Sequence, residues 1–442
     1  MNRWGGAILA LAWLTAAAAP AQKLPLSMRQ AVDLALEPDG AVRLQLAMEA
    51  IRKAEAEKAQ ARAALLPHVE AYLQYDSRVV NLKAFGVDFG IPGTPLVTPS
   101  KVGPFNVFDA RARANQTVFS LSAIRRYQAA KAGLRATREL SESARDNVAA
   151  TVSKAYLAAL RADARLEAAR TNVRLAEELL ELARNQKEAG TGTAIEVTRA
   201  EVQLANERQV LLLAENERRR AYLELLRAID LPLETELELT EQLEFHPLDA
   251  ADAETALREA LTHRADWKAQ QQQEARARLA FSAAKWERLP QVSAFGDYGN
   301  LGNAINDSFP TRTYGFRLTV PVFDGGGMEA RKASSGADLR RTRIQTADLR
   351  ARIELEIRLA LDALRWARQQ VSVAEKGLSL AERELEQAQR RYRAGVATTI
   401  EVTGAQNRLA RARDNHIAAL YQYEAARLDF GSAIGKIREF LP

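Results

Sequence analysis

The chain of 442 residues contains no cysteine. It therefore forms no disulfide bond, and we expect no lipid anchor on an N-terminal cysteine. Beyond its first residues, the sequence also lacks an apolar stretch of the about 20 residues that a transmembrane helix needs. If the chain enters a membrane, it must do so through β-strands, because only helices and closed barrels pair every backbone group in lipid.

Residue patterns that carry chemistry are also missing. The histidines lack the spacing of a metal site such as HExxH, and neither a GxSxG nor a P-loop motif occurs. The run Gly325–Gly327 lacks the context of a phosphate-binding loop, so we interpret it as a turn between a strand and a helix. We therefore predict that the protein is not an enzyme and binds no metal or cofactor. The histidines, which we interpret as surface or structural residues, are His68, His246, His263 and His416.

Residues 1–21 have the features of a secretory signal peptide. Arg3 supplies a positive charge, Ala7 to Ala19 form an apolar run, and Ala19-Pro20-Ala21 provides a small-residue cleavage site. The alternative is a retained membrane anchor, for which the apolar run is short. The formal net charge of +6 is modest for this length, and both signs are interleaved along the predicted helices. We therefore predict an exported protein without a nucleic-acid partner.

The dominant pattern is a long apolar seam that occurs twice. From Ile353 to Tyr392, apolar residues recur at alternating spacings of four and three. Such a sustained period of 3.5 residues is typical of helices that supercoil around each other. A matching seam begins at Val148, and the two seams end in AGTGTAIEVTRAEVQLA from Ala189 and AGVATTIEVTGAQNRLA from Ala394. The chain is therefore a duplication.

Four stretches alternate between apolar and polar residues, which is typical of strands with one apolar and one polar face. They are 68–76, 108–119, 291–298 and 313–323. The Gly- and Pro-rich residues 79–106 and the shorter segment 299–310 predict loops between these strands. A sheet in lipid must close, and a single-chain barrel needs about eight strands. Four strands in each chain therefore predict that several copies share one barrel.

These features together resemble the TolC-like family of outer-membrane efflux proteins over nearly the whole chain. The resemblance rests on the duplicated strand–strand–hairpin order, on Leu-Pro before the first and third strands, and on a set of short motifs. No motif is specific alone, but their combination at these spacings is. They are Val322-Phe323-Asp324-Gly325-Gly326, Arg391-Tyr392-Arg393-Ala394-Gly395, Thr399-Ile400-Glu401-Val402 and Leu428-Asp429-Phe430-Gly431-Ser432-Ala433-Ile434-Gly435.

The resemblance implies a mixed, mainly α-helical fold in which each repeat supplies two β-strands and one long coiled-coil helical hairpin. Three chains would form a twelve-stranded β-barrel in the outer membrane, continuous with a twelve-helix α-barrel in the periplasm. The implied function is a passive exit duct of a tripartite efflux or type I secretion system. The implied partners are two further copies, a periplasmic adaptor (membrane fusion) protein, an inner-membrane pump and outer-membrane lipid.

The same resemblance implies an order of segments along the chain. We expect a signal peptide at 1–21, N-terminal periplasmic helices at 22–66, two strands with a long extracellular loop at 67–119, a first long helical hairpin at 120–230, an equatorial segment at 231–266, a helix at 267–289, two strands at 290–323, and a second long hairpin with a C-terminal equatorial segment at 324–442.

The resemblance also implies sites at the two hairpin turns. Glu401 corresponds to an acidic ring at the periplasmic aperture, Glu196 is its repeat mate, and Tyr392 corresponds to a tyrosine that helps to latch the neighbouring hairpin. A ring of three carboxylates would repel anions and bind cations, although an acid at a helix N-terminus is also an ordinary stabilising feature. The adaptor contact is assigned by resemblance to Gly190, Thr191, Gly192, Thr193, Gly395, Val396 and Ala397.

Three arginines on the predicted polar strand faces, Arg111, Arg113 and Arg317, predict a partly basic barrel lumen. Two positions depart from the family member with the best-described aperture, which has an arginine at Ala397 and an aspartate at Gly404. The latch and the acidic ring are therefore expected to differ here. The alternative function is a soluble periplasmic coiled-coil adaptor or scaffold, which explains the helices but not the alternating strands. The exported substrate, whether drug, metal or polypeptide, stays open.

Overall fold

The computed structural model describes residues 24–37, 40–86, 100–249 and 252–441. The predicted signal peptide and residues 87–99 of the predicted long loop lie outside this part. In the described ranges the helices are α1 (Met28–Ala35), α2 (Val42–Ala63), α3 (Leu121–Glu188), α4 (Ala194–Ala228), α5 (Ala253–His263), α6 (Ala265–Lys285), α7 (Gly327–Arg393) and α8 (Thr399–Ala433). The strands are β1 (Leu24–Leu26), β2 (His68–Asn81), β3 (Lys101–Phe119), β4 (Leu237–Leu239), β5 (Gln291–Ala304) and β6 (Asp307–Thr319).

The chain divides into two compact units. The strand unit contains Leu46–Ser143 and Arg264–Arg352. The hairpin unit contains the stretch up to Gln45 together with Ala144–His263 and Ile353–Pro442. Helices α3 and α7 contribute residues to both units. None of the helices in the described ranges is both long and apolar enough to cross a membrane.

The two predicted seams form the core of the hairpin unit. On α7 the seam residues Ile353, Leu364 and Tyr392 are buried, and on α3 the equivalent positions such as Val152 and Ala183 are buried as well. Near the turns, α3, α4, α7 and α8 contribute to one apolar cluster that is rich in alanine. Alanine at alternate seam positions lets the helix backbones approach closely, so the periodicity read from the sequence corresponds to packed helical hairpins.

A short parallel strand pair in the hairpin unit was not predicted from the sequence. β1 pairs with β4 through Leu24 and Leu237. The buried hydroxyl of Tyr156 on α3 donates a hydrogen bond to the Leu26 carbonyl at 2.8 Å. This bond fixes the N-terminal strand against the first hairpin. Three-residue strands carry too little pattern to be recognised before the partner segment is known.

The strand unit contains one antiparallel sheet with the order β2-β3-β5-β6. On one face, Leu73 lies opposite Ala110, and Tyr314 and Phe316 lie opposite Gly296 and Ala294. This face exposes large apolar side chains along every strand pair. The other face carries the charged and polar residues, as the alternation in the sequence predicted. Within the described residues, β2 and β6 have a strand neighbour on one side only.

The strands differ in length from the predicted ones. β2 continues to Asn81 and β3 starts at Lys101, so parts of the predicted loop 79–106 are strand. The predicted loop 299–310 is also wrong, because β5 and β6 form a continuous hairpin around a tight turn after Ala304. Its glycines resemble loop signals in the sequence, but an ideal Cβ at Gly302 would lie 1.9 Å from the Asp307 carbonyl oxygen. These glycines permit a close approach of the strands.

The fourth strand ends earlier than expected. β6 stops at Thr319 instead of at residue 323. Pro321 follows closely and has no N–H to donate to a ladder. The predicted turn at Gly325–Gly327 is present, with φ of +68° at Gly325 and +88° at Gly326. These conformations favour glycine and direct the chain into α7.

Candidate functional site

Both hairpins reverse direction through a glycine with a left-handed backbone. Gly190 has a φ of +72° and Gly395 a φ of +71°, a region in which other L-residues are strained. In each turn, a backbone N–H donates to the carbonyl five residues earlier, at 2.9 Å from Thr191 and at 3.1 Å from Val396. These bonds satisfy carbonyls that a helix C-terminus would otherwise leave free. The reversals predicted at the two glycines are therefore present.

The two turns are not sterically identical. An ideal Cβ at Gly192 would lie 3.0 Å from the Lys187 backbone nitrogen, which is tighter than an ordinary contact. The equivalent residue of the second turn is Ala397, which does carry a Cβ. The first turn is therefore wound more tightly against the end of its helix than the second turn.

The turn residues assigned to adaptor contact carry no charge. Val396 is the most exposed large side chain among them, with 67% of its surface free. Gly192 and Ala397 are half-buried. The exposed ones are Gly190, Thr191, Thr193, Gly395 and Val396.

Glu196 caps its own helix next to the first turn. Its Oε2 accepts hydrogen bonds from the backbone N–H of Thr193 at 3.0 Å and from the Thr193 hydroxyl at 3.1 Å. The positive end of the α4 dipole also favours a carboxylate at this position. The Thr193 backbone N–H, with further hydrogen bonds from the Thr193 hydroxyl and from Thr399, holds the pKa of Glu196 below the usual range for glutamate. Glu196 is therefore charged at neutral pH and contacts the N-terminus of α8.

Glu401 occupies the equivalent position in α8 but has a different partner. Its Oε1 lies 3.1 Å from Nε of Arg391, in the last turn of α7. The two side chains face solvent, with 40% and 58% of their surface exposed. A pair of this kind adds little stability. It does, however, place a positive charge beside the carboxylate that was predicted to form the acidic ring.

Tyr392 is the buried end of the α7 seam. Its hydroxyl accepts a hydrogen bond from the Thr399 hydroxyl at 3.3 Å, so the phenol ties the two helices of its own hairpin together. The first hairpin contacts the backbone of Tyr392 instead of its side chain. The Gln186 side-chain amide donates a hydrogen bond to the Tyr392 backbone carbonyl at 3.3 Å. Gln186 was not singled out from the sequence, and Thr399 was named only as part of a family motif. A comparison of the two repeats could have pointed to Thr399, because the equivalent residue of the first half is the apolar Ala194.

Gly404, where the best-described family member has its second acid, lies beside a basic side chain. An ideal Cβ at Gly404 would lie 3.3 Å from Nη1 of Arg408. The Arg408 guanidinium makes two hydrogen bonds with Glu384, at 2.9 and 2.7 Å. The position of the second acid in the best-described family member is thus covered by a basic side chain that is itself paired.

The polar face of the sheet is organised around Arg111. Its guanidinium lies 2.8 Å from Asp109 and 2.8 Å from Asp297 on the neighbouring strand. Gly299 is directly opposite Arg111 in the ladder, and an ideal Cβ there would lie 2.2 Å from the Arg111 Cβ. The glycine therefore makes room for the arginine. Because two carboxylates balance Arg111, this residue adds little net positive charge to the face.

Arg113 and Arg317 both lie over aromatic rings. Arg113 is 5.5 Å from the centre of Tyr72, and Arg317 is 4.9 Å from the centre of Phe295. Arg113 also pairs with the Glu70 carboxylate, at 3.9 Å, whereas Arg317 lies over its ring without an ion pair among the described residues. The Tyr72 hydroxyl donates to Asp109 at 3.2 Å, which accounts for an aromatic residue on the polar face of β2. Of the three predicted lumen arginines, only Arg317 has no carboxylate partner in the part of the chain that the structure describes, so the basic lumen stays a prediction that rests mainly on Arg317.

The described ranges contain no group of three or more His, Asp or Glu side chains placed to hold a metal ion. The arrangement at the turns and on the sheet offers charge, hydrogen bonds and a polar surface along which solutes can pass. It offers no aligned nucleophile and base.

Comparison with known proteins identifies the family. The family model described as outer membrane efflux protein matches residues 40–230 and 256–436. Since these segments make up most of the chain, the protein belongs to the outer membrane efflux protein family. No curated protein sequence matches the chain.

Solved structures share the fold at low sequence identity. The CmeC outer membrane channel of Campylobacter jejuni aligns with a TM-score of 0.77 and 19% identity, over 93% of this chain and 86% of that one. A membrane protein from Pseudomonas aeruginosa aligns with a TM-score of 0.81 and 20% identity, over 94% and 91%. The open state of the MtrE outer membrane channel of Neisseria gonorrhoeae gives 0.78 and 18%, over 93% and 89%.

The resemblance stated from sequence motifs is therefore confirmed. The protein is an outer-membrane exit duct of efflux systems, with a mainly helical fold that matches TolC-like channels. The members of this family are passive channels and not enzymes. The alternative of a soluble periplasmic scaffold is replaced by this assignment.

Proposed function

We propose that three copies of this chain form one passive duct, which docks to a periplasmic adaptor and receives its substrate from an inner-membrane pump. In this arrangement, segments 67–119 and 290–323 supply the membrane barrel, and the hairpins 120–230 and 324–442 supply the periplasmic tube. The observation that carries the proposal is the four-stranded sheet, whose edge strands β2 and β6 have no second strand neighbour in the part of the chain that the structure describes.

The energetics of lipid favour closure by several copies. Each unpaired N–H or C=O group of an edge strand would cost several kcal/mol in hydrocarbon, roughly the penalty for an unpaired polar group. The exposed apolar face, which includes Tyr314 and Phe316, suits lipid, and the charged face around Arg111 suits a water-filled lumen. Three sheets of four strands reach a size at which a barrel has a polar interior.

The hairpin turns are proposed as the periplasmic end of the duct. Glu196, Glu401 and Tyr392 would line or latch its aperture. The uncharged turn residues around Gly190 and Gly395 would contact the adaptor. Support comes from the tip network, in which Gln186 of the first hairpin binds the backbone of Tyr392 in the second. Arg111, Arg113 and Arg317 would line the barrel lumen, and Arg317, which has no ion-pair partner among the described residues, would supply most of its basic character.

Cysteine cross-linking tests the shared barrel cleanly because the chain has no cysteine of its own. Leu73→Cys on edge strand β2 is combined in turn with Tyr314→Cys, Phe316→Cys or Leu318→Cys on edge strand β6. Three strand spacings already separate these positions by at least about 14 Å within one sheet, too far for a disulfide. We expect at least one pair to give covalent trimers on oxidation in membranes.

The matched control is Leu73→Cys with Ala110→Cys, which lie opposite each other within one chain. This pair should cross-link inside the monomer. If the control reacts while every edge-to-edge pair yields only monomers, the shared barrel is refuted.

Adaptor contact is tested separately with a photo-reactive amino acid at Thr191 or Val396. We expect a periplasmic coiled-coil protein to be captured at both turns, and much less of it from Glu254 on α5. Equal capture at all three positions would refute the assignment of the turns.

A further inference from the structure

The two acidic residues at the hairpin turns have opposite electrostatic surroundings. Glu401 lies 3.1 Å from Nε of Arg391. Glu196 receives hydrogen bonds from Thr193, and no lysine or arginine of the described residues pairs with it. One carboxylate is therefore balanced by a cation, and the other is supported by hydrogen bonds alone.

The difference has a simple origin in the repeat. Arg391 of the second half corresponds to Gln186 of the first half. Glutamine carries no charge, and its amide is engaged with the Tyr392 carbonyl at 3.3 Å. The first hairpin thus has no side chain at this position that could neutralise Glu196. This difference between the repeats leaves Glu196 without the cation that pairs with Glu401.

The distances between charges determine the electric field that a passing ion experiences in the aperture. At about 0.1 M salt, charges are screened over a Debye length of about 10 Å. The two charges of the Arg391–Glu401 pair are much closer to each other than that, so their fields largely cancel for an ion in the aperture. The field of Glu196 has no such opposing partner, and in a trimer it would be repeated three times around one axis.

We propose that Glu196, and not Glu401, sets the charge selectivity of the aperture, and that Arg391 is a positioning residue that holds and neutralises Glu401. This inference rests on the proposed function, in which the turns form the narrow end of the duct. It assigns the selectivity to the first hairpin, although the motif containing Glu401 is the more specific one in the sequence.

Planar-bilayer recordings across a KCl gradient test the assignment through the reversal potential. For Glu196→Gln we expect the permeability ratio of K⁺ over Cl⁻ to fall about sevenfold or more, because one unit charge at about 7 Å in water favours K⁺ and disfavours Cl⁻ by roughly threefold each. Removing the whole pair in the Arg391→Gln/Glu401→Gln double variant should change the ratio far less. Arg391→Gln alone should raise the ratio, because it leaves the negative charge of Glu401 without its neutralising cation.

Two further readouts separate charge from structure. The Glu196→Gln effect should shrink between 0.1 and 1 M KCl as the Debye length falls to about 3 Å, whereas a purely structural defect would persist. Arg391→Lys keeps the positive charge and should retain the original ratio. The control Arg390→Gln/Glu386→Gln removes another exposed pair on the same helix and should leave the ratio unchanged.

The outcomes distinguish the inference from the proposed function. If the double variant lowers the ratio as much as Glu196→Gln, or if Glu196→Gln has no effect while Arg391→Gln does, the inference is wrong and the aperture stays at the turns. If conducting channels form but none of these variants changes the ratio, the turns are not the constriction and both proposals fail.

Discussion

The tips of the two hairpins have nearly the same backbone but different electrostatics. Both reverse through a left-handed glycine, and both place a glutamate as the third residue of the returning helix. In the first tip the glutamate caps its helix and reaches Thr399, while in the second tip it pairs with Arg391. The two halves therefore share the turn, and the difference between Gln186 and Arg391 gives the tips different charges.

The strands of the two halves show the same combination of shared and distinct features. An arginine over an aromatic ring occurs once in each half, as Arg113 with Tyr72 and as Arg317 with Phe295. The doubly paired Arg111 has no counterpart, because Gly315 lies opposite Phe295 where Arg111 lies opposite Tyr72. The arginine–aromatic contacts are thus common to the strand pairs of both halves. The contacts of Arg111 occur in one half only and are candidates for a role specific to that half.

The largest effect is expected where the halves are equivalent, on the apolar face of the sheet. Leu73→Arg in the first half and Phe316→Arg in the second each place a charge on the face assigned to lipid. At the membrane midplane the cost is about 2–4 kcal/mol per chain, repeated in every copy. Both variants should fail to assemble, as seen by loss of the heat-sensitive oligomer in outer-membrane extracts.

The control for this prediction is Thr313→Arg, which lies on the polar face of β6 opposite Asp297. It should assemble normally. Normal assembly of Phe316→Arg together with failure of Thr313→Arg would mean that the two faces have been assigned the wrong way round.

The next effect concerns the arginine that only the first half has. Arg111→Met leaves Asp109 and Asp297 without their cation in a largely enclosed position. We expect a loss of about 2 kcal/mol in the free energy of unfolding, within the range for hydrogen bonds to charged groups. Arg317→Met, which removes only a cation–π contact, should lose about 1 kcal/mol. Chemical denaturation of the detergent-solubilised protein measures both, and equal losses would contradict the comparison.

A smaller effect is expected at the turns. Gly190→Ala and Gly395→Ala each force a side chain into a left-handed backbone, at a cost of about 1 kcal/mol. Neither position has steric obstruction around the added Cβ, so the two losses should be similar. Gly192→Ala adds a steric contact that the second turn tolerates at Ala397. Hydrogen exchange of the turn amides should rise in all three variants, and unchanged exchange in Gly192→Ala would refute the tighter first turn.

The smallest effect is a local dependence on pH. The folded-state pKa of Glu196 lies below the ordinary value of 4.5, so its stabilising contribution is present above that value and is lost as the pH falls through the lowered pKa. The hydrogen-exchange rates of the first backbone amides of α4, corrected for the intrinsic pH dependence of amide exchange, should therefore increase in acid. Glu196→Gln should abolish this change. A pH response that survives in Glu196→Gln would assign it to another group.

The sequence predicted the long-range architecture well where a pattern was sustained. Forty residues of unbroken heptad spacing on α7 strongly predict a packed helix. The matching seam on α3 predicts a second one. Strand faces were also predictable, since Arg111 and Ala112 alternate in the sequence as they do across the sheet. Strand length was not, because Gly299 and Gly302 have a role in close packing that looks identical to a loop signal.

The side-chain contacts at the hairpin tips were harder to predict from the sequence. Arg391 and Glu401 are separated by a turn, and their contact depends on how that turn is wound. Thr399 became relevant only once its hydroxyl was seen beside Tyr392. An alignment of the two repeats shows that Gln186 and Arg391 are unlike residues at equivalent positions. It does not show which group each of them contacts.

The number of chains in the detergent-extracted particle tests the central claim most directly. Native mass spectrometry of the extracted protein should give a mass of three copies, which heat converts to single chains. A monodisperse particle of one chain, with the sheet edges intact, would contradict the shared barrel and the aperture built on it.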